Sequence, residues 1–371
     1  GNPTHPRPAR PWRSRGPVLV CLPDGAPAAK NGNRSSPSGT THPPLSVNLL
    51  PSPLAPAPTG KNFFPLSLFP GSLHSDSMSA RILDGEAFAS QIHRETAARV
   101  SALLRRGITP GLVFIRVGED PASRAYVSRK ETRAGEVGIS SRTLVLPEST
   151  PLSSLLAEID SLNADPKVHG ILIQSPLPST LPNDQVYARV SPAKDVDGFH
   201  PVNFGKLLLG DPSGFLPCTP AGILEILRLG KIPTQGKHAV VVGRGQIVGR
   251  PLAVLLARKA VYADCTVTLA HSSTPNLPSI TRQADILIGA LGRPLFLTQE
   301  HVQPGATVID VGVNRIPDPN SPRGYRLVGD VDFPSVKTVA AAITPNPGGV
   351  GPMTIALLLS NTLRATEDAC R

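Results

Sequence analysis

An aromatic residue and an amine four positions apart are the first pair in this sequence that could do chemistry. Tyr126 and Lys130 fall within residues 121–137, which predict a helix, so their side chains share one face. The ring can stack on a planar ligand, and a lysine partly removed from water has a lowered pKa and can exchange protons near neutrality. Ser123, one turn earlier, could assist. The alternative is a solvated lysine that packs along a tyrosine.

A glutamine ends the short apolar run of residues 170–174, which predicts a buried parallel strand. Ligands bind beyond the carboxyl ends of such strands, so Gln174 is a candidate site residue. The alternative is a side chain bonded to the backbone of a neighbouring loop.

Two aspartates, Asp195 and Asp197, stand two positions apart in the segment KDVDG. One carboxylate could form paired hydrogen bonds with the amidine-like edge of a heterocycle. Further carboxylates or histidines do not cluster with the pair in the sequence, so we expect no metal. The alternative is an Asp-Gly turn.

A glycine-rich turn lies between a valine-rich strand, residues 238–242, and a predicted helix. Its glycines, Gly243, Gly245 and Gly249, allow the backbone to approach a pyrophosphate at the helix N-terminus. The spacing GxGxxxG is one residue longer than the usual dinucleotide pattern. The alternative is a glycine-rich turn packed for close contact between strand and helix.

The end of the following strand indicates the type of nucleotide. NAD sites usually carry an acid there, whereas this chain has Ala270, His271 and Ser272. Hydroxyl groups beside Arg244 suit a 2′-phosphate, so we expect NADP rather than NAD. The alternative for His271 and Ser272 is ordinary loop capping.

Residues 345–354, PNPGGVGPMT, combine three glycines and three prolines ahead of an apolar run that predicts a helix. A rigid loop with few side chains at a helix start can hold a flat or anionic ligand against bare amides. The alternative is a tight turn into a packed helix.

The segments that carry these residues alternate between helix and strand. Helices are predicted over 84–106, 121–137, 151–162, 219–230 and 251–258 and from 354, and strands over 111–118, 143–146, 170–174, 238–242, 266–270, 286–290 and 307–311. A loop region is predicted between 174 and 219. Alternation of this kind predicts parallel sheets with helices on both faces.

We therefore predict an α/β fold of two lobes around a cleft. The expected domains are an N-terminal α/β substrate lobe, a Rossmann-like dinucleotide-binding lobe, and a last loop and helix that return to the first lobe. Their predicted bounds are 78–217, 218–341 and 342–371.

Composition excludes several classes of protein. No apolar run approaches the ~18 residues that a membrane helix needs, so we expect no membrane association. The four cysteines form no CxxC pair, which argues against a zinc site and favours a reducing compartment. The net charge is +10, but half of it lies in residues 1–77, so we expect no nucleic-acid partner.

Residues 1–77 differ in composition from the rest of the chain. They contain sixteen of the 42 prolines and no glutamate, which predicts disorder. Met78 stands just before the first periodic segment, so we expect translation to begin there and residues 1–77 to be upstream sequence. The alternative is an organelle transit segment, although its prolines oppose an amphipathic helix. An intact mass from the native source that includes residues 1–77 would refute a start at Met78.

Taken together, these segments resemble one family, the bifunctional methylenetetrahydrofolate dehydrogenase/cyclohydrolases. The resemblance spans about residues 80–367, with the motifs in the family's order and spacing. The matching segments are YVSRK (126–130), VHGILIQ (168–174), KDVDGF (194–199), PCTP (217–220), VGR with IVG (242–244 and 247–249) and the loop 344–354.

The resemblance implies NADP-dependent oxidation of 5,10-methylenetetrahydrofolate to 5,10-methenyltetrahydrofolate and hydrolysis of that product to 10-formyltetrahydrofolate. It implies that Lys130 is the acid/base of the hydrolysis, that Tyr126 stacks on the folate, that Gln174 tunes the lysine and that Asp197 binds the pterin. Further folate contacts are expected from Ser123, Pro347, Gly348 and Gly349, and NADP contacts from Gly243, Arg244, Gly245, Val248, Gly249, Ser272 and Val313.

The sequence departs from the family pattern at three positions. The family usually has serine where Gly245 stands, so a possible phosphate contact is missing. Ser175 replaces a leucine, and Asn346 replaces a common valine or isoleucine. None of the three departures changes Lys130, Gln174 or Asp197.

Three alternatives remain open on the sequence alone. A short-chain dehydrogenase also pairs YxxxK with a glycine-rich turn, but there the turn comes first in the chain. A non-catalytic nucleotide-binding protein of the same fold and a nucleic-acid-binding protein that uses the basic residues 1–77 are the others. Family resemblance further implies a homodimer and tetrahydrofolate derivatives as small-molecule partners. We also expect a cytoplasmic location rather than import into an organelle through residues 1–77.

Overall fold

The computed structural model describes residues 79–321 and 324–371; the predictions for residues 1–77 and Met78 lie outside the described residues. Its helices are α1 (Gly85–Arg105), α2 (Pro121–Glu136), α3 (Leu152–Ala164), α4 (Asn183–Arg189), α5 (Pro201–Leu209), α6 (Cys218–Leu229), α7 (Gly249–Ala257), α8 (Leu277–Thr281), α9 (Phe333–Val336) and α10 (Val350–Ala369). Its strands are β1 (Arg81–Ile82), β2 (Gly111–Val117), β3 (Ser140–Leu146), β4 (Gly170–Ile173), β5 (His238–Val242), β6 (Thr266–Ala270), β7 (Ile286–Gly289), β8 (Thr307–Asp310), β9 (Asn314–Pro317), β10 (Tyr325–Val328) and β11 (Ala342–Ile343).

The first sheet is parallel, with strand order β3-β2-β4. Its central strand β2 is buried from Leu112 to Val117, as expected for a strand covered by helices on both faces. Strand β3 begins at Ser140, three residues before its predicted start, because it pairs with β2 from Gly111 onward. β4 ends at Ile173, and the amide of Gln174 continues the ladder by donating to the Ile115 carbonyl over 2.8 Å.

The second sheet is also parallel, with strand order β1-β11-β8-β7-β5-β6. After β5 the chain adds β6 on one side and then crosses to add β7 on the other. Val242 consequently stands opposite both Ala270 and Gly289, at the carboxyl edge where the strand order reverses. Ligands of doubly wound sheets bind at such a point.

Several short helices and strands were not predicted from the sequence. Residues 175–217 hold the helices α4 and α5 rather than loop alone. The strands β1 and β11 are two residues each and complete the edge of the second sheet from outside residues 218–341. β9 and β10 form a separate antiparallel pair.

The helix α10 connects the two lobes. Its residues Leu358 and Leu363 pack in the core around Phe114 of the first sheet. Five residues earlier, Met353 lies in the other core, against α6, where a Cβ on Gly222 would lie 3.1 Å from the Met353 Cβ. The C-terminal helix thus returns to the first lobe, as predicted, and also contributes to the second.

Candidate active site

Helix α2 and strand β4 bring Lys130 and Gln174 together. Asp120 caps α2 by accepting the Ser123 amide N–H over 2.7 Å, with Pro121 in the first turn. Two and a half turns along, Lys130 is 4 % exposed and its Nζ donates to Gln174 Oε1 over 3.0 Å. Gln174 Nε2 donates to the Ser175 carbonyl over 2.6 Å, which orients the amide so that its oxygen faces the lysine.

Burial changes the acid–base properties of Lys130. Removal from water lowers the pKa of its amine, and the neighbouring Asp197 and Cys218 raise it by smaller amounts. A lysine with a lowered pKa can be neutral and act as a base at a pH where an exposed lysine is charged. The predicted role of Lys130 therefore has a physical basis in its surroundings.

The two aspartates of KDVDG have different surroundings. Buried Asp195 accepts the amide N–H groups of residues 198–200 over 2.7–3.1 Å and the Asn203 side-chain amide over 2.8 Å. It thereby builds the turn, in which Gly198 has φ +77°. Asp197 instead lines a cavity with Lys130. Burial raises the pKa of the Asp197 carboxyl, and Lys130 opposes that shift.

Tyr126 completes the predicted group. Its ring centroid lies 4.5 Å from Lys130 Nζ, a cation–π distance, and the ring lines the same cavity. Burial and the nearby Asp197 raise the pKa of its hydroxyl, so the ring stays neutral. Ser123 lies nearly one turn earlier on α2, where its amide serves the helix cap.

The cavity also contains residues that lie in the matching segments but were given no role from the sequence. The second lobe contributes Ile247, from the glycine-rich turn, and α10 contributes Thr354, whose hydroxyl lies 3.0 Å from that of Thr219. Cys218 is buried next to this wall, with its Sγ 3.3 Å from the Val196 carbonyl. Cys218 and Thr219 belong to the PCTP segment, so only their position in a matching motif marked them.

The charge of Asp197 supports the pKa of Lys130, and a substitution tests this. In Asp197→Asn the negative charge is gone, so the pKa of Lys130 falls further and the neutral amine forms at lower pH. For the hydrolysis of methenyltetrahydrofolate that the family resemblance implies, we expect the acidic limb of the kcat/KM profile to shift to lower pH, whatever the loss in maximum rate. An unshifted limb, or a shift to higher pH, would contradict this electrostatic link.

The glycine-rich turn is built on close backbone contacts. Gly243 has φ +125°, and a Cβ on it would lie 2.0 Å from the Ala290 carbonyl oxygen. A Cβ on Gly249 would lie 1.9 Å from the Gly243 carbonyl oxygen. Gly245 and Arg244 are exposed, and helix α7 begins after Val248 without a side-chain cap. The Arg250 amide already donates to the Gly245 carbonyl over 3.1 Å, and Pro251 has no N–H. The turn therefore offers room for a phosphate group at a helix start rather than a row of unpaired amides.

The other predicted cofactor residues lie on the same edge of the sheet. Ser272 follows β6, whose last residue pairs with the last residue of β5. It is exposed, beside a turn that the Thr274 hydroxyl caps by accepting the His271 amide. Val313 is 73 % exposed after β8. The residues present thus fit a dinucleotide laid across β6, β5, β7 and β8.

The loop at Pro347, Gly348 and Gly349 lies between the lobes. Gly348 has φ +101°, and its carbonyl accepts the Glu86 amide at the start of α1 over 3.2 Å. A Cβ on Gly85 would lie 1.8 Å from the Gly349 carbonyl oxygen, so this end of α1 packs directly on the loop. On the other side the Asn346 side-chain amide donates to the Gly312 carbonyl over 2.5 Å.

Residues 79–321 and 324–371 contain no group of three or more His, Cys, Asp or Glu side chains placed to hold a metal ion. Within the same described part of the chain, no helix combines the length and apolar character that a membrane crossing needs.

Both lobes of this chain are similar to known proteins. The model of the tetrahydrofolate dehydrogenase/cyclohydrolase catalytic domain matches residues 83–197, and that of the NAD(P)-binding domain of the same family matches residues 217–370. Bifunctional protein FolD 1 of Myxococcus xanthus is 56 % identical over 289 residues, which is 78 % of this chain and 98 % of the relative. Bifunctional protein FolD of Prosthecochloris aestuarii is 53 % identical over 286 residues, 76 % of this chain and 97 % of the relative.

Solved structures agree. The methylenetetrahydrofolate dehydrogenase/cyclohydrolase FolD of Campylobacter jejuni is 43 % identical, with a TM-score of 0.74, and the match covers 78 % of this chain and 99 % of that one. The Trypanosoma brucei enzyme, solved with NADP and an inhibitor, is 39 % identical, with a TM-score of 0.75 over 79 % of this chain and 99 % of that one. The short-chain dehydrogenase alternative is therefore wrong, and this chain belongs to the tetrahydrofolate dehydrogenase/cyclohydrolase family.

Proposed function

We propose that this chain oxidises 5,10-methylenetetrahydrofolate with NADP and hydrolyses the resulting 5,10-methenyltetrahydrofolate to 10-formyltetrahydrofolate, with Lys130 as the acid/base of the second step. One observation carries the assignment of the site. The buried Lys130 amine, held by Gln174, faces the same cavity as Asp197 and as Ile247 of the glycine-rich turn. A folate in this cavity would lie within reach of both the amine and a cofactor at the turn.

The oxidation requires little proton transfer by the protein. NADP, when bound, accepts the hydride. The nitrogens of the substrate stabilise the cation that remains after the hydride leaves the one-carbon bridge. The protein's part is alignment: the Tyr126 ring stacks on the folate and the Asp197 carboxylate pairs with the edge of the pterin.

The hydrolysis requires a base and then an acid. A water molecule attacks the methenyl carbon while neutral Lys130 takes up a proton from it. The adduct so formed carries a hydroxyl group on the one-carbon bridge. The Lys130 ammonium returns its proton to the ring nitrogen as the bond from that nitrogen to the carbon breaks. The hydroxyl proton leaves to solvent, and the formyl group stays on the other nitrogen. Gln174 holds the amine in place through the 3.0 Å hydrogen bond to its Oε1.

An assay on the purified full chain tests this proposal. With methylenetetrahydrofolate and NADP we expect NADPH to form, and with methenyltetrahydrofolate alone we expect its absorbance to disappear faster than in buffer. A protein that binds both ligands but changes neither rate would be a binding protein rather than an enzyme. Equal kinetic efficiency with NAD and NADP would refute the preference for NADP.

Gly245 offers a gain-of-function test of the cofactor site. The position is exposed and a Cβ there meets no atom within 4 Å among the described residues, so Gly245→Ser places the family's usual hydroxyl without a clash. One hydrogen bond to a phosphate is worth about 1 kcal/mol, so we expect the KM for NADP to fall about fivefold. The KM for methylenetetrahydrofolate is the internal control and should stay unchanged. A KM for NADP that does not fall would place the phosphates away from residue 245.

We also propose a homodimer and a cytoplasmic location. The proposal of a dimer rests on the family, and sedimentation of the purified chain tests it. The cysteines of the described residues, Cys218, Cys265 and Cys370, are free, which fits a reducing compartment.

A further inference from the structure

We propose that Asp330, supported by Asp310, is a positioning residue that fixes the loops on which the nicotinamide half of the cofactor rests, and that it serves the dehydrogenase step without serving the hydrolysis. This inference rests on the proposed function. Neither aspartate belongs to the group around Lys130, and neither was singled out from the sequence.

Asp330 forms hydrogen bonds with the ends of two loops. It is 0 % exposed, and its Oδ2 accepts the amides of Leu291 over 2.6 Å and Gly292 over 3.0 Å. Its Oδ1 accepts the Arg293 amide and the Asn314 side-chain amide, each over 2.9 Å. The first three donors follow β7, and the fourth begins β9.

Those loops form the floor of the cofactor site. Ala290, just before the three amides, is the residue whose carbonyl packs against Gly243 of the glycine-rich turn. Val313, a predicted cofactor contact, is held on both sides because Gly312 donates to Asp310 and Asn314 donates to Asp330. A shift of either anchor would therefore move the surface that Ala290 and Val313 present.

Asp310 links this floor to the loop between the lobes. It is 3 % exposed, and its carboxylate accepts the amides of Gly312, Asp330 and Val331 over 2.9–3.3 Å. Its own amide donates to the Thr344 hydroxyl over 2.8 Å, at the start of the loop that carries Pro347.

The chemistry of the pair argues for placement rather than stability. All seven donors named for the two carboxylates are amide N–H groups, and the Arg293 guanidinium lies 4.2 Å from the Phe296 ring centroid instead. Buried carboxylates held by neutral donors are costly compared with an apolar core, but their directional bonds fix a unique backbone arrangement. The donors to Asp330 come from residues 291–293 and from Asn314, and none lies on the elements that carry Lys130, Gln174 and Asp197. A change at Asp330 should therefore leave the hydrolytic group in place.

Asp330→Asn is the direct test. It keeps the shape of the side chain but replaces one carboxylate oxygen, an acceptor, by an NH2 group, a donor that faces amide N–H groups. In the full chain we expect the amides of residues 291–293 to exchange hydrogen at least tenfold faster without any ligand. The Kd for NADP, measured by calorimetry, should rise at least fivefold and dehydrogenase kcat should fall at least tenfold. Hydrolysis of methenyltetrahydrofolate without NADP should stay within twofold.

Three further variants make the result decisive. Asp332→Asn is the matched control, since it makes the same change two residues away at a side chain that caps no amide, and it should alter nothing beyond twofold. Asn314→Ala removes one donor and should show the same selective loss at about threefold, which decides the matter if Asp330→Asn fails to fold. In Asp330→Asn/Asn314→Asp the donor and acceptor are exchanged, and we expect NADP affinity to recover in part.

Two results would overturn the proposal. One is unchanged NADP affinity and dehydrogenase rate in folded Asp330→Asn or, failing that variant, in Asn314→Ala. The other is an equal loss of dehydrogenase and hydrolysis, which would make Asp330 a general support of the fold. If the unmodified chain neither binds NADP nor catalyses either reaction, the proposed function is refuted. That outcome is visible without any variant, so it can be told apart from failure of the inference about Asp330.

Discussion

Lys130→Ala is expected to lower the hydrolysis of methenyltetrahydrofolate by about a factor of a hundred to ten thousand, the range for loss of a general acid–base group. The reason is that the amine is buried in the cavity, oriented by Gln174 and lowered in pKa, so that no solvent-exposed lysine can replace it. The dehydrogenase should fall much less, because hydride transfer needs alignment rather than proton exchange. With methylenetetrahydrofolate and NADP, the variant should accumulate the methenyl product.

The control for this experiment is Lys259→Ala, which removes an exposed lysine just after α7 and should leave both rates unchanged. Unaltered NADP affinity in Lys130→Ala would show that the nucleotide lobe is intact. Purified Lys130→Ala that still hydrolyses the methenyl compound at the unmodified rate would refute the role of the lysine.

Gly249→Ala is expected to produce the opposite loss, with dehydrogenase activity impaired and hydrolysis retained. The added methyl group would lie 1.9 Å from the Gly243 carbonyl oxygen, a backbone atom that cannot rotate away. Overpacking of this kind costs about 1–3 kcal/mol. If that strain is relieved by opening the turn, NADP affinity falls by about ten- to a hundredfold.

Gly135→Ala is the matched glycine control. Gly135 is exposed on α2, and a Cβ there meets nothing within 4 Å among the described residues, so the same substitution should be harmless or slightly stabilising. Calorimetry with NADP and the rate of methenyl hydrolysis are the two measurements. Tight NADP binding by Gly249→Ala would show that the turn does not hold the phosphates.

The sequence predicted the parts of the site that follow from local rules. Helical spacing put Tyr126 and Lys130 on one face, and the end of a buried strand marked Gln174. These rules predict position along an element, and the structure adds the 3.0 Å hydrogen bond between Lys130 and Gln174, residues 44 positions apart. Parallel order and helical cover were equally predictable, because alternating helices and strands leave few topologies.

Long-range pairing explains what the sequence could not provide. The donors from residues 198–203 determine that Asp195 builds the turn and that Asp197 lines the cavity. The spacing of the KDVDG segment alone could not distinguish the two aspartates. β1 and β11 are two residues long, too short for any periodic pattern, and exist because β8 offers an edge to pair with. Asp330 follows β10 and bonds to amides 37–39 positions away.

Two of the departures from the family pattern have structural partners in this chain. The Ser175 hydroxyl lies 2.6 Å from the Tyr187 hydroxyl, and the Asn346 amide donates to Gly312. The partners lie 12 and 34 positions away along the chain, so neither contact could be anticipated from the substituted residue alone.

The central claim is that one cavity presents the folate to both the Lys130 amine and the nicotinamide. A crystal structure of the chain with NADP and a folate analogue tests it most directly. We expect the pterin against the Tyr126 ring, its edge hydrogen-bonded to Asp197, and the one-carbon position between Lys130 Nζ and the nicotinamide ring. A folate bound outside this cavity, or a Lys130 Nζ that reaches the one-carbon position neither directly nor through one water, would contradict the claim.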